Sequence, residues 1–241
     1  TVVLTGPVVN DGFSGDIGLA SFDGINSVVG TAGTNTLQRN NAGPATWTLN
    51  ATSGNTVVEG SPTQTLSFSG MSNLIGGNAS DTFNITGSHA VNITTRDGDD
   101  VIHVLDNRAA VTGTIDGGTG NDTLDYSGVS NAVTVDLATL TGFETVIGGS
   151  GNDTLIGTAT SNQFQINSGT NSQVVDLGVE FRDFETIQGA AGNDAFTFSD
   201  GATVSRVDGG TGSDTIDLSA YSTARSVTLT GSSSSGFGGT E

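Results

Sequence analysis

The sequence predicts an all-β fold, a parallel β-solenoid of β-helix or β-roll type whose passes are joined by glycine- and aspartate-rich turns. Three observations carry the prediction. The phrase Gly-Gly-x-Gly-Asn-Asp-Thr-Leu occurs at 117–124 and again at 148–155, and 209–216 repeats it with conservative changes. Degenerate copies end at Asp81, Asp100 and Asp194, with a faint one at Asn35. From Asp81 to Asp100 is 19 residues, from Asp100 to Asp122 is 22, and from Asp194 to Asp214 is 20. A repeat near 20 residues is one pass of a solenoid with two or three short strands. The third observation is the alternation of β-branched residues between the turns, as in Ala132-Val133-Thr134-Val135-Asp136-Leu137, whose period of two puts Val and Leu on one face.

The turn comes first in the argument. Its glycines allow positive φ and a close approach of backbone. Its aspartate supplies an anionic oxygen, and the residue two places later is apolar and opens a strand. A second phrase often runs straight into it: Phe22 to Gly30, Phe68 to Gly76, Leu140 to Gly148 and Phe181 to Gly189. Its first, fourth and seventh positions are mostly apolar. That spacing fits a helix, but the glycine density and the adjoining turn favour a strand and a corner. The alternating phrase has relatives at Val91-Asn92-Ile93, Val174-Val175-Asp176-Leu177 and Val227-Thr228-Leu229. The longer gaps between turns, 31 residues from Asp122 to Asp153 and 41 from there to Asp194, fit a larger pass, an outward loop or two passes. Phe22, Phe68, Phe143, Phe181, Phe184 and Phe196 are expected to fill the core. Trp47, Tyr126 and Tyr221 are the few aromatics that could present a sugar-stacking face, and His89 and His103 read as surface or loop residues.

The ends of the chain resemble each other. Val2-Val3-Leu4-Thr5-Gly6 with Gly12-Phe13-Ser14-Gly15 returns as Val227-Thr228-Leu229-Thr230-Gly231 with Gly236-Phe237-Gly238-Gly239. The expected organisation of 1–241 is therefore one continuous solenoid segment, slightly more than one super-repeat of a longer array.

Composition narrows the partners. There are 25 acidic residues against 6 basic, no lysine, and a net charge of -19. No basic footprint for nucleic acid is present, and divalent cations are the expected partners. With no cysteine, disulfides and thiolate metal sites are excluded. No apolar run reaches the length of a membrane span.

The turns resemble the Gly-Gly-x-Gly-x-Asp nonapeptide of the RTX, haemolysin-type calcium-binding proteins. The wider layout, including Leu124-Asp125-Tyr126-Ser127 and Ile216-Asp217-Leu218-Ser219, looks like that of large tandem-repeat bacterial surface proteins and adhesins. The resemblance covers most of 22–221. In that family the nonapeptides run in tandem with calcium between stacked turns, whereas here the motif occurs once per pass. The resemblance implies calcium as cofactor, with Asp122, Asp153 and Asp214 as metal ligands and Asp81, Asp100 and Asp194 as further ones, completed by turn carbonyls. Calcium takes six to eight oxygens at flexible geometry. The other reading of these side chains is that they cap their own turns through backbone N–H groups. Asn121, Asn152 and Asn193, beside the acids, suit a stacked amide ladder.

The function expected from this set is non-enzymatic: a calcium-binding extracellular structural or adhesive segment of a large bacterial cell-surface protein. Its partners would be calcium, neighbouring repeats or identical subunits end to end, and a surface glycan or protein. Two alternatives stand beside it. One is a subunit of a self-assembling filament or surface layer. The other is a polysaccharide lyase or epimerase, which the scarcity of basic residues disfavours.

Overall fold

The computed structural model describes residues 1–8, 12–17, 21–40, 43–59, 63–169, 171–226, 228–233 and 236–240. Among these residues there is no α-helix, only short strands and a single 3-10 turn at Leu137–Thr139. The chain divides into two compact units, one of 1–130 with 140–145 and one of 131–139 with 146–241.

In the first unit, Val2–Val8, Thr36–Arg39, Asn73–Ile75, Asn92–Thr94 and Ile115–Asp116 pair in parallel, each with the next. A second parallel ladder joins Ala45–Asn50, Thr82–Thr86, Val101–Val104 and Thr123–Asp125. Each Gly/Asp turn leads from a strand of the first ladder into a strand of the second. Parallel register stacks like on like. Trp47, Phe83, Ile102 and Leu124 form one buried column, and Leu49, Ile85 and Val104 another. The Trp47 and Phe83 rings lie 5.2 Å apart and within 4° of parallel, with Phe68 edge-on at 5.8 Å. Trp47 is fully buried, so the sugar-stacking role that the sequence left open for it is corrected: it is a core residue.

In the second unit, Thr134–Asp136, Thr154–Ile156, Thr186–Gln188 and Arg206–Asp208 form a parallel ladder. Gln163–Ile166, Ala195–Phe198 and Thr215–Asp217 form another. Phe164 and Phe196 stack at 4.9 Å, and the Tyr221 hydroxyl donates to the Ala202 carbonyl.

The corner phrase owes its spacing to backbone hand rather than to helix. Its third residue is left-handed in every copy: Gly24, Gly70, Gly142 and Asp183 have φ of 66°, 68°, 66° and 62°. One such residue turns the strand, so the flanking apolar residues both face inward; Phe181 and Phe184 are both buried. The side chain of Phe22 lies outside the described residues, while Phe68, Phe143 and Phe196 are buried as expected.

Two features were not legible in advance. Ala45–Asn50, Asn55–Glu59 and Gln64–Ser69 form an antiparallel meander, and so do Gln163–Ile166, Ser172–Val174 and Val179–Arg182. The second meander spans about half of the length between Asp153 and Asp194. His89 and His103 both lie on strands, and His103 Nδ1 is 2.9 Å from Asp125 Oδ2.

Candidate metal centre at the acidic turns

The turn aspartates form columns. Asp81, Asp100, Asp122, Asp153 and Asp194 are buried, and Asp214 is half-buried. Each uses Oδ1 to accept a backbone N–H from the pass before it. In the first unit Ala45 donates to Asp81 at 2.7 Å, Asp81 to Asp100 at 2.5 Å and Asp100 to Asp122 at 2.7 Å. In the second unit Val133 donates to Asp153 at 2.7 Å, Asn162 to Asp194 at 2.7 Å and Asp194 to Asp214 at 3.0 Å. The side chains therefore staple one pass to the next, a capping role wider than the own-turn capping foreseen.

Sequence reasoning missed three members of these columns. Glu144 Oε2 accepts the Asp122 N–H and Glu185 Oε2 the Asp153 N–H, both at 2.8 Å. Each occupies an aspartate's place from within the corner phrase, at its fifth position, where the extra methylene makes up the reach. Their signal was the shared Phe-Glu-Thr at 143–145 and 184–186. Asn162 is the third, its Oδ1 accepting the Thr158 N–H at 2.8 Å while its amide donates to Asp176 at 2.9 Å.

A parallel column runs beside the acids in the opposite sense. Asp99 N–H donates to Ser80 and Asn121 N–H to Asp99, while Asn193 N–H donates to Ser161 and Ser213 N–H to Asn193. Asn121 and Asn193 thus belong to a mixed polar ladder rather than a run of amides.

The second carboxylate oxygen separates two kinds of turn. Asp81 and Asp153 use Oδ2 to cap their own turns, accepting from Gly77 at 2.7 Å and Gly149 at 2.6 Å. Asp81 also meets Arg39, a fully buried arginine that reaches Asp81 at 2.8 Å, Glu59, and the Gly43 carbonyl. In the other kind, the residue four before the aspartate is left-handed, and so is the glycine two before. Arg96, Gly118, Ala190 and Gly210 have φ of 81°, 90°, 77° and 88°, and Gly98, Gly120, Gly192 and Gly212 have 124°, 144°, 114° and 141°. That twist takes the N–H away from the carboxylate; Gly118 donates to Asp116 and Gly210 to Asp208 instead. The Oδ2 atoms of Asp100, Asp122 and Asp194 are then buried without a hydrogen-bond partner, a condition that costs about 1–3 kcal/mol per group.

These open turns stack in twos. Gly98 N–H donates to Thr119 O at 3.0 Å and Thr119 N–H to Arg96 O at 2.7 Å; Gly192, Thr211 and Ala190 repeat the pattern at 2.9 and 3.0 Å. The turns approach so closely that a Cβ on Gly118 or Gly120 would collide with the carbonyl oxygens of Arg96 or Gly98, and one on Gly189 with Asp194 Oδ2 and the Gly209 carbonyl.

Electrostatics mark the same places. Burial, with the Asp81 and Asp99 charges adding to it, pushes Asp100 up to about 6. Burial, with the Asp100, Glu144 and Asp99 charges, pushes Asp122 up to about 6. Asp194 is raised by burial and by Asp214 and Asp176; Asp81 is raised by burial against the pull of its hydrogen bonds and Arg39.

Among the described residues no three His, Cys, Asp or Glu side chains gather into a ligand set. A cation here would take its remaining oxygens from the backbone. The donors on hand are carboxylate and carbonyl oxygens, which suit a hard cation of calcium type. No known protein family, curated protein or solved structure matches the chain.

Proposed function

We propose that this chain is a non-enzymatic, calcium-stiffened β-solenoid segment of a large extracellular, cell-surface protein of bacterial type, with a structural or adhesive role. One observation carries the reading: the buried, unpartnered Oδ2 atoms of Asp100, Asp122 and Asp194, in glycine turns stacked two by two. A buried carboxylate at neutral pH needs a proton or a cation. The parallel ladders and the near-regular turn spacing support the solenoid. The acidity, at net -19, supports a cation-rich medium.

On this reading the ligands rank by turn type rather than by motif fidelity. Asp100, Asp122, Asp194 and, by its matching turn, Asp214 hold the metal. Asp153 and Asp81 are structural caps, and Arg39 supplies the positive charge that Asp81 needs. Calcium titration calorimetry on the whole chain tests this. Binding with a dissociation constant of about 10⁻⁴ to 10⁻³ M, the range of extracellular modules, is expected. Asp122→Asn should remove part of the heat and Asp153→Asn none. No binding heat at all, or equal loss in both variants, would overturn the reading.

A further inference from the structure

The first meander sends a loop off the stack. After Ala45–Asn50 the chain reverses into Asn55–Glu59, with Thr48 facing Thr56 as the last registered pair. The passes beside it, Thr82–Thr86 and Val101–Val104, run on instead into Ser88–His89 and Ala110–Val111, which pair in parallel. Residues 51–54 are exposed, and Gly54, with φ of 92°, closes the turn. Where the loop departs, an open cleft of about 470 Å³ lies among Asn50, Thr52, Ser88, Asp106 and Arg108, within the size range of small-ligand sites.

The loop carries Asn50-Ala51-Thr52, one of six Asn-x-Ser/Thr sequences in the chain. Such a sequence is the acceptor signal for an N-linked sugar, but a transferase must also grip the backbone around it. At Asn50 the Oδ1 accepts the Thr52 hydroxyl and the Thr52 N–H, both at 2.9 Å, and the Ser53 N–H at 3.0 Å. Its Nδ2 has no hydrogen-bond partner among the described residues. The other five sequences are held in the stack. Asn84 lies mid-strand between Thr48 and His103. Asn92 donates its amide to Asn73 at 2.8 Å, and Asn121 donates to Asp99 at 3.4 Å. Asn78 and Asn152 are exposed, yet the hydroxyl of Ser80 already accepts the Asp99 N–H at 3.2 Å, and Thr154 N–H donates to the Val133 carbonyl at 2.8 Å.

We propose that Asn50 is the acceptor of an N-linked sugar delivered from a glycosyl diphosphate donor. Nδ2 attacks the anomeric carbon of the donor, and a nitrogen–carbon bond forms. The bond from that carbon to the diphosphate oxygen breaks, and its electron pair leaves with the diphosphate. One amide proton passes to a base of the transferase. An amide nitrogen is a weak nucleophile because its lone pair is shared with the carbonyl. As Nδ2 gives up a proton, negative charge gathers on Oδ1, where the Thr52 hydroxyl and N–H are already placed to stabilise it. In the cleft beside it, the Asp106 carboxylate and the Arg108 guanidinium are partners for the hydroxyls of the attached sugar. The proposal rests on the extracellular part of the function proposed above. No acidic turn takes part in it, so it fails separately from calcium binding.

The test treats the folded full-length chain in two arms. One arm uses a soluble asparagine glucosyltransferase with UDP-glucose, the other a membrane oligosaccharyltransferase with a polyprenyl-diphosphate glycan. Peptide mass spectrometry reads the sugar at each of the six sequences. Asn50 should be modified in at least one arm, and that arm identifies the donor. Its rate should exceed that of each other site by about tenfold or more, since those sites react only after a stacked pass opens. Thr52 is exposed, so its variants keep the fold. Thr52→Ser retains the hydroxyl and should be modified like wild type. Thr52→Val loses it and should be slowed about tenfold, the worth of one hydrogen bond. No sugar on Asn50 in either arm, another site modified as fast as Asn50, or a Thr52→Val protein modified as fast as wild type would each overturn the proposal.

Discussion

Asp122→Asn should make the metal-free protein more stable at neutral pH while removing part of its response to calcium. Asn keeps the Oδ1 that accepts the Asp100 N–H, and Asn162 shows that an amide fits an acidic column. What the substitution removes is an ionisation. Asp122 titrates near 6 in the fold against an ordinary 3.8. A raised folded value means that the native state binds the extra proton. The stabilising contribution is full below pH 3.8, shrinks as pH rises and is gone above 6. A shift of about two units is worth about 3 kcal/mol. Wild type and variant should therefore unfold alike near pH 3.5 and diverge by up to about 3 kcal/mol by pH 7, or roughly 6–12 °C for a chain of this size. Carboxylates not coupled to Asp122, such as Asp125 with its lowered value, contribute equally to both proteins and cancel in the difference, while Asp100, Glu144 and Asp99, whose charges help to raise Asp122, are relieved in the variant and add to its advantage. With about 10 mM calcium and a dissociation constant of about 10⁻⁴ to 10⁻³ M, wild type should regain about 1.4–2.7 kcal/mol per site, and the variant less. The assay is thermal unfolding by circular dichroism from pH 3.5 to 7.5, with chelator and with calcium. A pH-independent difference, or a variant that is less stable at pH 7 in chelator, would refute the argument that Asp122 is a buried carboxylate without compensation.

Two further outcomes follow from the packing. Arg39→Gln leaves Glu59 and Asp81 buried without their cation and should cost about 3–5 kcal/mol by urea unfolding, while the neutral Arg39→Met/Glu59→Met/Asp81→Asn combination should recover most of it. Gly117→Ala puts a methyl into the Gly142 carbonyl and against Asp122 and should cost about 1–3 kcal/mol, whereas Gly43→Ala, with nothing within 4 Å, should unfold like wild type.

Much of the architecture was legible because a stacked fold repeats its constraints. Turn spacing, β-branched alternation and the apolar residue after each aspartate located the strands at Thr82–Thr86, Val101–Val104, Thr123–Asp125 and Ala195–Phe198, whereas the burial of the aspartates came only from the structure. The corner phrase was harder. Its spacing of three mimics a helix, and only the left-handed Gly24, Gly70, Gly142 and Asp183 show that a kink produces it. Arg39 gave no local signal, since its partners lie 20 and 42 residues away.

The sequence by itself determined the kind of fold and the places where acid is concentrated, because each pass must satisfy the same local geometry and writes the same residues to do so. It did not distinguish the aspartates from one another. The turns ending at Asp122 and Asp153 read alike, yet one has a bare buried oxygen and the other a capped one. Tertiary structure decided that difference. Asp116 precedes the first turn and captures its Gly118 N–H, Ile147 precedes the second and captures nothing, and the carboxylate of Asp153 takes the Gly149 N–H instead. The hand of one residue, left-handed at Gly118 and not at Gly149, separates a structural cap from a candidate ligand.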